Sequence, residues 1–132
     1  MKNNIESTCI FCNLQLKNIE IINQNKHAIS FYDAYPVTKY HTLIIPIRHE
    51  EDYFQLKKEE LSSIHNLILK QKDYLQKLDS TITGFNIGIN NGKDAGQTIF
   101  HTHIHLIPRR RNDTKNSEGG VRGVIYNKQQ YK

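Results

Sequence analysis

The strongest constraint on the fold of this chain is a run of three histidines at alternate positions: His101, His103 and His105. Alternate residues of a β-strand lie on the same face, so a strand over 101–107 would place all three imidazoles together. Packing alone does not explain such a face, because each buried imidazole needs a hydrogen-bond partner. The segment therefore predicts a strand that carries a polar site on one side.

The rest of the chain alternates between strand and helix patterns. Short apolar or alternating runs predict strands over 19–22, 27–32, 41–45 and 84–89. Between the third and fourth of these, residues 57–78 show a helical stripe, formed by Leu61, Ile64, Leu67, Ile68, Tyr74, Leu75 and Leu78. Three strands, one helix and two strands predict an α+β fold, a five-stranded antiparallel sheet with one long helix packed on a face. Residues 121–126 add a short sixth strand to this prediction.

The length and charge of the chain restrict the number of domains and the classes of function that it can have. The 132 residues predict a single domain, with 112–132 as a basic C-terminal extension. The net charge of +5 suits a phosphorylated substrate. No aromatic residues interleave with the basic run Arg109–Arg111, which disfavours nucleic-acid binding. We expect this run to be solvated. The apolar runs are too short to cross a bilayer and none resembles a signal peptide. We therefore expect a cytoplasmic protein that does not bind membranes.

A polar loop leads into the histidine run. Residues 90–98 contain Gly92 and Gly96 and end in Gln97 and Thr98, a composition that can aim N–H, amide and hydroxyl groups at a phosphate. Two chemistries fit this combination. A neutral imidazole can attack phosphorus and form a covalent intermediate, or the histidines can hold a Zn²⁺ ion whose bound water attacks. The pattern leaves both open.

A pair of cysteines, Cys9-Ile10-Phe11-Cys12, has the spacing of metal ligands or of a redox pair. No βαβ pattern surrounds the pair, which disfavours thioredoxin-like chemistry. A zinc site needs two more ligands, and the other histidines supply the candidates.

The segment from Gly96 to Ile107, Gly-Gln-Thr-Ile-Phe-His-Thr-His-Ile-His-Leu-Ile, resembles the signature of the histidine triad (HIT) superfamily of nucleotide hydrolases and transferases. Residues 31–33, Pro36 and 41–46 are similar to the central segment of that family, and 119–122 to the C-terminal extension of its bacterial members. The resemblance extends to diadenosine polyphosphate hydrolases. Thr102 departs from the apolar residue usual at its position. The resemblance also implies a homodimer.

The resemblance implies a role for each matched residue. His103 would be the nucleophile that attacks the α-phosphorus, with His105 and Gln97 as further catalytic residues contacting phosphate oxygens. Asp33 would bind ribose hydroxyls, and His41 would support the wall of the site. Substrate-binding residues would also include Asn90 and Thr98 at the phosphates and an apolar slot for a purine base, formed by Ile10, Phe11, Leu14, Phe31 and Leu43.

Some branches of the family pair such cysteines with a histidine after the third strand and with the first triad histidine. In this chain the resulting set is Cys9, Cys12, His49 and His101. The resemblance thus implies a structural Zn²⁺ that pins residues 1–16 beside the active site, and no organic cofactor. The predicted function is hydrolysis of dinucleoside polyphosphates or nucleoside phosphoramidates through a nucleotidyl-histidine. The alternatives are a zinc-dependent hydrolase that uses the histidine strand as ligands, and a non-catalytic purine-nucleotide-binding module.

Overall fold

The computed structural model describes residues 5–131, which form an antiparallel sheet of five strands with one long helix. The strands are β1 (Ile21–Gln24), β2 (Ala28–Tyr32), β3 (Thr42–Pro46), β4 (Ile82–Gly88) and β5 (Ile104–Arg110). Their order across the sheet is β1-β2-β3-β5-β4, and every neighbouring pair is antiparallel. The helix α1 (Lys58–Leu78) connects β3 to β4. The predicted α+β fold is confirmed.

The helix begins where the sequence indicated, immediately after Lys57. The carboxylate of Glu60 accepts a hydrogen bond of 2.8 Å from the Lys57 amide and caps the first turn. The same buried carboxylate binds Arg48, which follows β3, at 2.8 Å. This ion pair fixes the start of the helix to the segment that carries His49.

Only part of the predicted apolar stripe of α1 is buried. Ile64, Leu67 and Leu75 pack on the sheet, whereas Leu61, Tyr74 and Leu78 are exposed, which corrects the prediction for those three residues. A straight helix touches a sheet along one narrow line, and residues at the rim of a wide stripe stay outside it.

The two faces of the sheet carry separate hydrophobic clusters. Ile44, Ile104 and Leu106 face α1 together with Ile64 and Leu67 of the helix. The opposite face carries Phe31, Leu43 and Ile45, and the N-terminal segment covers it with a further set, Cys9, Phe11 and Leu14. Strand alternation therefore divides the sheet into a helix side and a side covered by the N-terminal segment.

The strand of histidines starts later than predicted, at Ile104 rather than at residue 101. Residues 101–103 lie outside the ladder, because the Thr102 amide donates to the carbonyl of Glu50 at 2.7 Å instead of to a neighbouring strand. Of the three histidines, only His105 is therefore in β5. The first strand is also displaced, to Ile21–Gln24, and β4 starts earlier, at Ile82.

Residues 121–126 do not form the predicted sixth strand. A 3-10 helix occupies Gly120–Val124, and Gly119, at a φ of 71°, precedes it in the left-handed conformation. Turn-type hydrogen bonds such as that from the Arg122 amide to the Gly119 carbonyl, at 2.8 Å, replace a ladder. Residues 1–4 of the predicted N-terminal segment and residue 132 of the extension lie outside the described residues. Within 5–131, no helix is long and apolar enough to cross a membrane.

Candidate active site

The central histidine of the run, His103, has one ring nitrogen fixed by the main chain. Its Nδ1 lies 2.9 Å from the carbonyl oxygen of His101. A carbonyl oxygen can only accept, so Nδ1 carries the proton, and in the neutral ring Nε2 holds a free lone pair. The ring is 8% exposed and meets the edge of Phe11 at a centroid distance of 5.2 Å. His103 thus has the tautomer and the orientation of a nucleophile.

A chain of hydrogen bonds fixes the third histidine, His105. The Val37 amide donates to Nδ1 of His41 at 3.0 Å, so the proton of a neutral His41 is on Nε2. That Nε2 lies 2.9 Å from Nδ1 of His105, which must then accept. The proton of His105 is consequently on Nε2, where it can be donated to a phosphate oxygen.

Burial keeps both rings of this pair uncharged at neutral pH. It lowers the pKa of His105 to about 4, with the charges of His103 and His41 adding to the effect. It also lowers the pKa of His41, while Asp33, whose carboxylate is 3.5 Å from Nε2 of His41, acts in the opposite direction. Each ring then has one proton, as the hydrogen-bond chain requires.

A cavity of about 370 Å³ opens in front of His103 and His105. Its wall includes the polar side chains of Asp33, His41, Asn90 and Thr98. Apolar side chains form the remainder, among them the predicted Ile10, Phe11, Phe31 and Leu43. The structure therefore brings most of the predicted substrate-binding residues to one cavity of mixed apolar and polar character, which is typical of a small-molecule site.

Two predicted residues do not line this cavity. Leu14 is buried in the cluster between the N-terminal segment and the sheet, and it does not reach the cavity. The amide of Gln97 is engaged inside its own loop, where it accepts from the Gly92 N–H at 2.8 Å and donates to the Glu51 carbonyl at 3.0 Å. A buried amide with these partners holds the loop shape, so the predicted phosphate contact of Gln97 is not what this geometry supports.

Several residues of the wall were not predicted from the sequence, among them the aliphatic side chains of Ile19, Val37 and Ile99. None of them belongs to a regular element, and each reaches the cavity through a turn or loop. Their proximity to Asp33 and Thr98 in the chain is the one signal that could have indicated the last two.

The four predicted metal ligands come together beside this cavity. Cys9, Cys12, His49 and His101 present ligand atoms that all lie within 4.8 Å of one another. Nδ1 of His101 is 3.5 Å from the Sγ atoms of both cysteines, and Nδ1 of His49 is 3.2 Å from Sγ of Cys12. A tetrahedral zinc with ordinary bond lengths places its sulfur and nitrogen ligands about 3.5 Å apart, so this set fits the ion.

The second ring nitrogen of His101 supports the same conclusion. Nε2 lies 2.8 Å from the Pro46 carbonyl, which orients the ring and leaves Nδ1 for a metal. Without metal, burial raises the pKa of the Cys12 thiol to about 11. A metal ion at this position would stabilise the thiolate that the apolar surroundings disfavour.

Two residues of the basic run, Arg109 and Arg110, lie in β5 and have partners, contrary to the solvated run that the sequence favoured, whereas Arg111 is exposed. Arg109 donates to both carboxylate oxygens of Asp113, at 2.8 and 2.7 Å, and to the Asn86 amide oxygen at 2.6 Å. Arg110 pairs with Asp79 at 3.0 Å. The guanidinium of Arg110 is therefore paired with a carboxylate and is not a free charge.

Comparison with known proteins agrees with this geometry. A model of the HIT domain matches residues 16–112. An uncharacterized HIT-like protein of Mycoplasma genitalium is 39% identical over 111 residues, which cover 83% of this chain and 78% of that protein. The asymmetrical bis(5'-nucleosyl)-tetraphosphatase of Schizosaccharomyces pombe is 33% identical over 94 residues, covering 71% of this chain and 51% of that protein.

Among solved structures, a Zn-bound histidine triad family protein from Mycobacterium smegmatis superposes with a TM-score of 0.73. It is 30% identical, over 83% of this chain and 80% of that one. The fold and the arrangement of histidines define a class of small α+β proteins in which a buried histidine lies beside a cavity of mixed apolar and polar lining. The chain belongs to the HIT family, which includes nucleotide-binding proteins and hydrolases.

Proposed function

We propose that this protein is a nucleotide hydrolase that cleaves at the α-phosphorus of dinucleoside polyphosphates or nucleoside phosphoramidates. The observation that carries the proposal is the hydrogen bond from Nδ1 of His103 to the His101 carbonyl. It leaves Nε2 with its lone pair in a largely buried ring, next to a cavity with polar groups suited to phosphate. Covalent catalysis by histidine requires this protonation state.

In the first step, the lone pair of His103 Nε2 forms a bond to the α-phosphorus. The bond from phosphorus to the leaving oxygen or nitrogen breaks, and its electron pair departs with the leaving group. A polyphosphate leaves as an anion, whereas an amine takes up a proton from water. The Nδ1 proton stays on the bond to the His101 carbonyl, which disperses the positive charge that develops on the ring.

In the second step, water attacks the phosphorus of the nucleotidyl-histidine. The bond between phosphorus and Nε2 breaks, its electron pair returns to His103, and a proton passes from the water to solvent. The products are a nucleoside monophosphate and the free enzyme. His105 serves both steps, since its Nε2 proton can bind a non-bridging phosphate oxygen.

The cavity suggests how the substrate lies. The apolar wall of Phe11, Phe31 and Leu43 suits a purine base, while the carboxylate of Asp33 can accept hydrogen bonds from the ribose hydroxyls. Asn90 and Thr98 line the same cavity as the two histidines and can donate hydrogen bonds to phosphate oxygens. The similarity to a tetraphosphatase of Schizosaccharomyces pombe supports the dinucleoside substrate class.

Zinc has a separate, structural role in this proposal. The Cys/His set of Cys9, Cys12, His49 and His101 is complete with four protein ligands and leaves no position for a reacting water. A second group of possible metal ligands, Asp33, His41 and His105, includes one run histidine, but the rings of His41 and His105 are hydrogen-bonded to each other at 2.9 Å. This disfavours the alternative of a zinc-dependent hydrolase that uses the histidine strand.

The test is intact mass spectrometry after rapid mixing with an adenylate donor, adenosine 5'-phosphoramidate, under quench conditions that avoid acid. We expect an adenylyl adduct in the wild type and none in His103→Gly. Turnover without an adduct would contradict the covalent route. Nucleotide binding with neither adduct nor turnover would instead indicate a non-catalytic purine-nucleotide-binding module.

A further inference from the structure

We propose that the C-terminal extension forms the subsite for the second nucleoside of a dinucleoside polyphosphate. This inference rests on the proposed function and narrows its substrate class: it favours a dinucleoside polyphosphate over a phosphoramidate. A second cavity lies next to the first, further along β5, and the C-terminal extension contributes side chains to the wall of this second cavity.

The sheet face that carries His105 continues past the first cavity. Alternation along β5 puts Ile107 and Arg109 on the same face as His105, and the register pairs Ile107 with Asn86 and His105 with Gly88. At about 3.4 Å per residue, Ile107 and Arg109 lie roughly 7 and 14 Å along the strand from His105. This span suits a polyphosphate leaving group.

A cavity of about 500 Å³ occupies that part of the face. Val37 lines both this cavity and the one in front of His103, and Gly88, opposite His105, lines the second. A Cβ atom placed on Gly88 would meet nothing within 4 Å. No side chain therefore fills the space at Gly88, opposite His105 on the way to the second cavity.

The extension builds the far wall of this cavity as an ordered turn. Arg122 donates from Nε to the Lys128 carbonyl at 3.1 Å, and Gln129 donates to the Glu118 carbonyl at 3.3 Å. The turn presents Val121 and Val124 to the cavity, although these side chains are 68% and 80% exposed. Apolar side chains fixed in an open cavity wall indicate a ligand that covers them.

The chemistry of the lining favours a nucleoside over bare phosphate. Arg109, the cation of the floor, is already paired with Asp113 and bonded to Asn86, so it shapes the cavity without offering a free charge. Ile107 and the two valines can pack against an aromatic base, and the Thr38 hydroxyl, which donates to the Pro108 carbonyl at 2.6 Å, can accept a hydrogen bond beside them. Apolar walls with a few polar groups bind rings and read their edges.

The experiment compares two adenylyl donors that differ only in the leaving group: diadenosine tetraphosphate and adenosine 5'-phosphoramidate. The variants are Val124→Asp and Val121→Asp, which put a carboxylate where the second base would lie. The matched control is Ile125→Asp, because Ile125 belongs to the same turn, is 59% exposed and does not line the cavity. The measured quantity is kcat/KM for diadenosine tetraphosphate divided by kcat/KM for adenosine 5'-phosphoramidate.

We expect each valine variant to lower this ratio at least tenfold and Ile125→Asp to leave it unchanged. An unchanged ratio in both valine variants would overturn the inference, and so would a wild type that hydrolyses only the phosphoramidate. In either case the proposed function stands, because phosphoramidate turnover reports on it separately. If the wild type hydrolyses neither donor and forms no adduct, the proposed function itself fails and the subsite falls with it.

Discussion

His101 and His103 are joined by a hydrogen bond of 2.9 Å, from Nδ1 of the second ring to the main-chain carbonyl of the first residue. The side chain of His101 meanwhile lies in the Cys/His set, with Nδ1 3.5 Å from Cys9 Sγ. One residue therefore contributes to two candidate sites: its ring to the Cys/His set and its carbonyl to the proposed nucleophile, His103.

The first prediction concerns that nucleophile. We expect His103→Ala to lower kcat for nucleotide hydrolysis by about 10³-fold or more, because His103 forms the covalent intermediate in the proposed mechanism. Steady-state kinetics measure the effect. His27→Ala is the control, since His27 precedes β2 and does not line the cavity, and it should retain activity. Equal losses in the two variants would argue against a covalent role for His103.

The second prediction concerns pH and stability. Burial lowers the pKa of His105 to about 4, whereas in the unfolded chain it has the ordinary value of about 6.5. Between these values the unfolded state binds the extra proton, so the free energy of unfolding rises with pH. The uncharged His105 ring therefore makes its full contribution to the free energy of unfolding above about pH 6.5. That contribution is lost as the pH falls toward 4.

Urea unfolding of the wild type and of His105→Asn at pH 7 and pH 5 measures this contribution. We expect the variant to lose less stability than the wild type between the two pH values. His65→Asn, on the exposed face of α1, is the control and should match the wild type. A pH dependence identical in all three proteins would show that His105 does not contribute.

The third prediction concerns the metal. We expect purified protein to contain about one zinc per chain, and its removal by a chelator to lower the Tm by more than about 5 °C, because the ion cross-links the N-terminal segment to the sheet. Elemental analysis and thermal unfolding measure both quantities. Cys12→Ser should lack the metal and show no further shift with chelator. A chelator effect on activity with no change in Tm would indicate a catalytic rather than a structural ion.

The fourth prediction concerns the turn of the extension. A Cβ atom on Gly119 would collide with the Gln129 carbonyl oxygen, and the φ of 71° disfavours any side chain there. We expect Gly119→Ala to open the turn and to raise the rate of tryptic cleavage after Arg122 on the order of tenfold. Gly120→Ala is the matched control, because its Cβ would meet nothing within 4 Å. Equal cleavage of both variants would contradict the strain argument.

The fifth prediction concerns assembly. Strand β4 lies at one edge of the sheet, and Ile87 on it is 54% exposed. An open edge with an apolar side chain favours pairing with a second copy, so we expect a homodimer. Sedimentation at low micromolar concentration checks this, with Ile87→Lys expected to weaken the dimer. A monomeric wild type would reject it.

The sequence predicted the elements well where local periodicity decides them. Strong patterns gave the helix to within one residue and the number of strands in the sheet. Periodicity failed at residues 101–103, because the Thr102 amide bonds to Glu50, a partner distant in sequence. It also failed at 121–126. The β-branched residues of this segment favour a strand pattern, but its glycines allow a 3-10 turn.

For the site, residue type and family resemblance gave most of the cavity wall but not the roles within it. The engagement of Gln97 by Glu51 and the burial of Leu14 depend on how separate segments pack, which no spacing in the sequence encodes. The tautomers of His41 and His105 likewise follow from a Val37 amide that only the folded turn brings near.

The N-terminal segment has a consequence for how this domain can be shortened. The region matched by the HIT domain begins at residue 16, yet both thiols and Phe11 precede it. A chain trimmed to that boundary would retain every histidine of the run while losing one wall of the cavity and half of the Cys/His set. The unit that must be inherited, transplanted or expressed together is therefore larger than the unit that sequence similarity delimits.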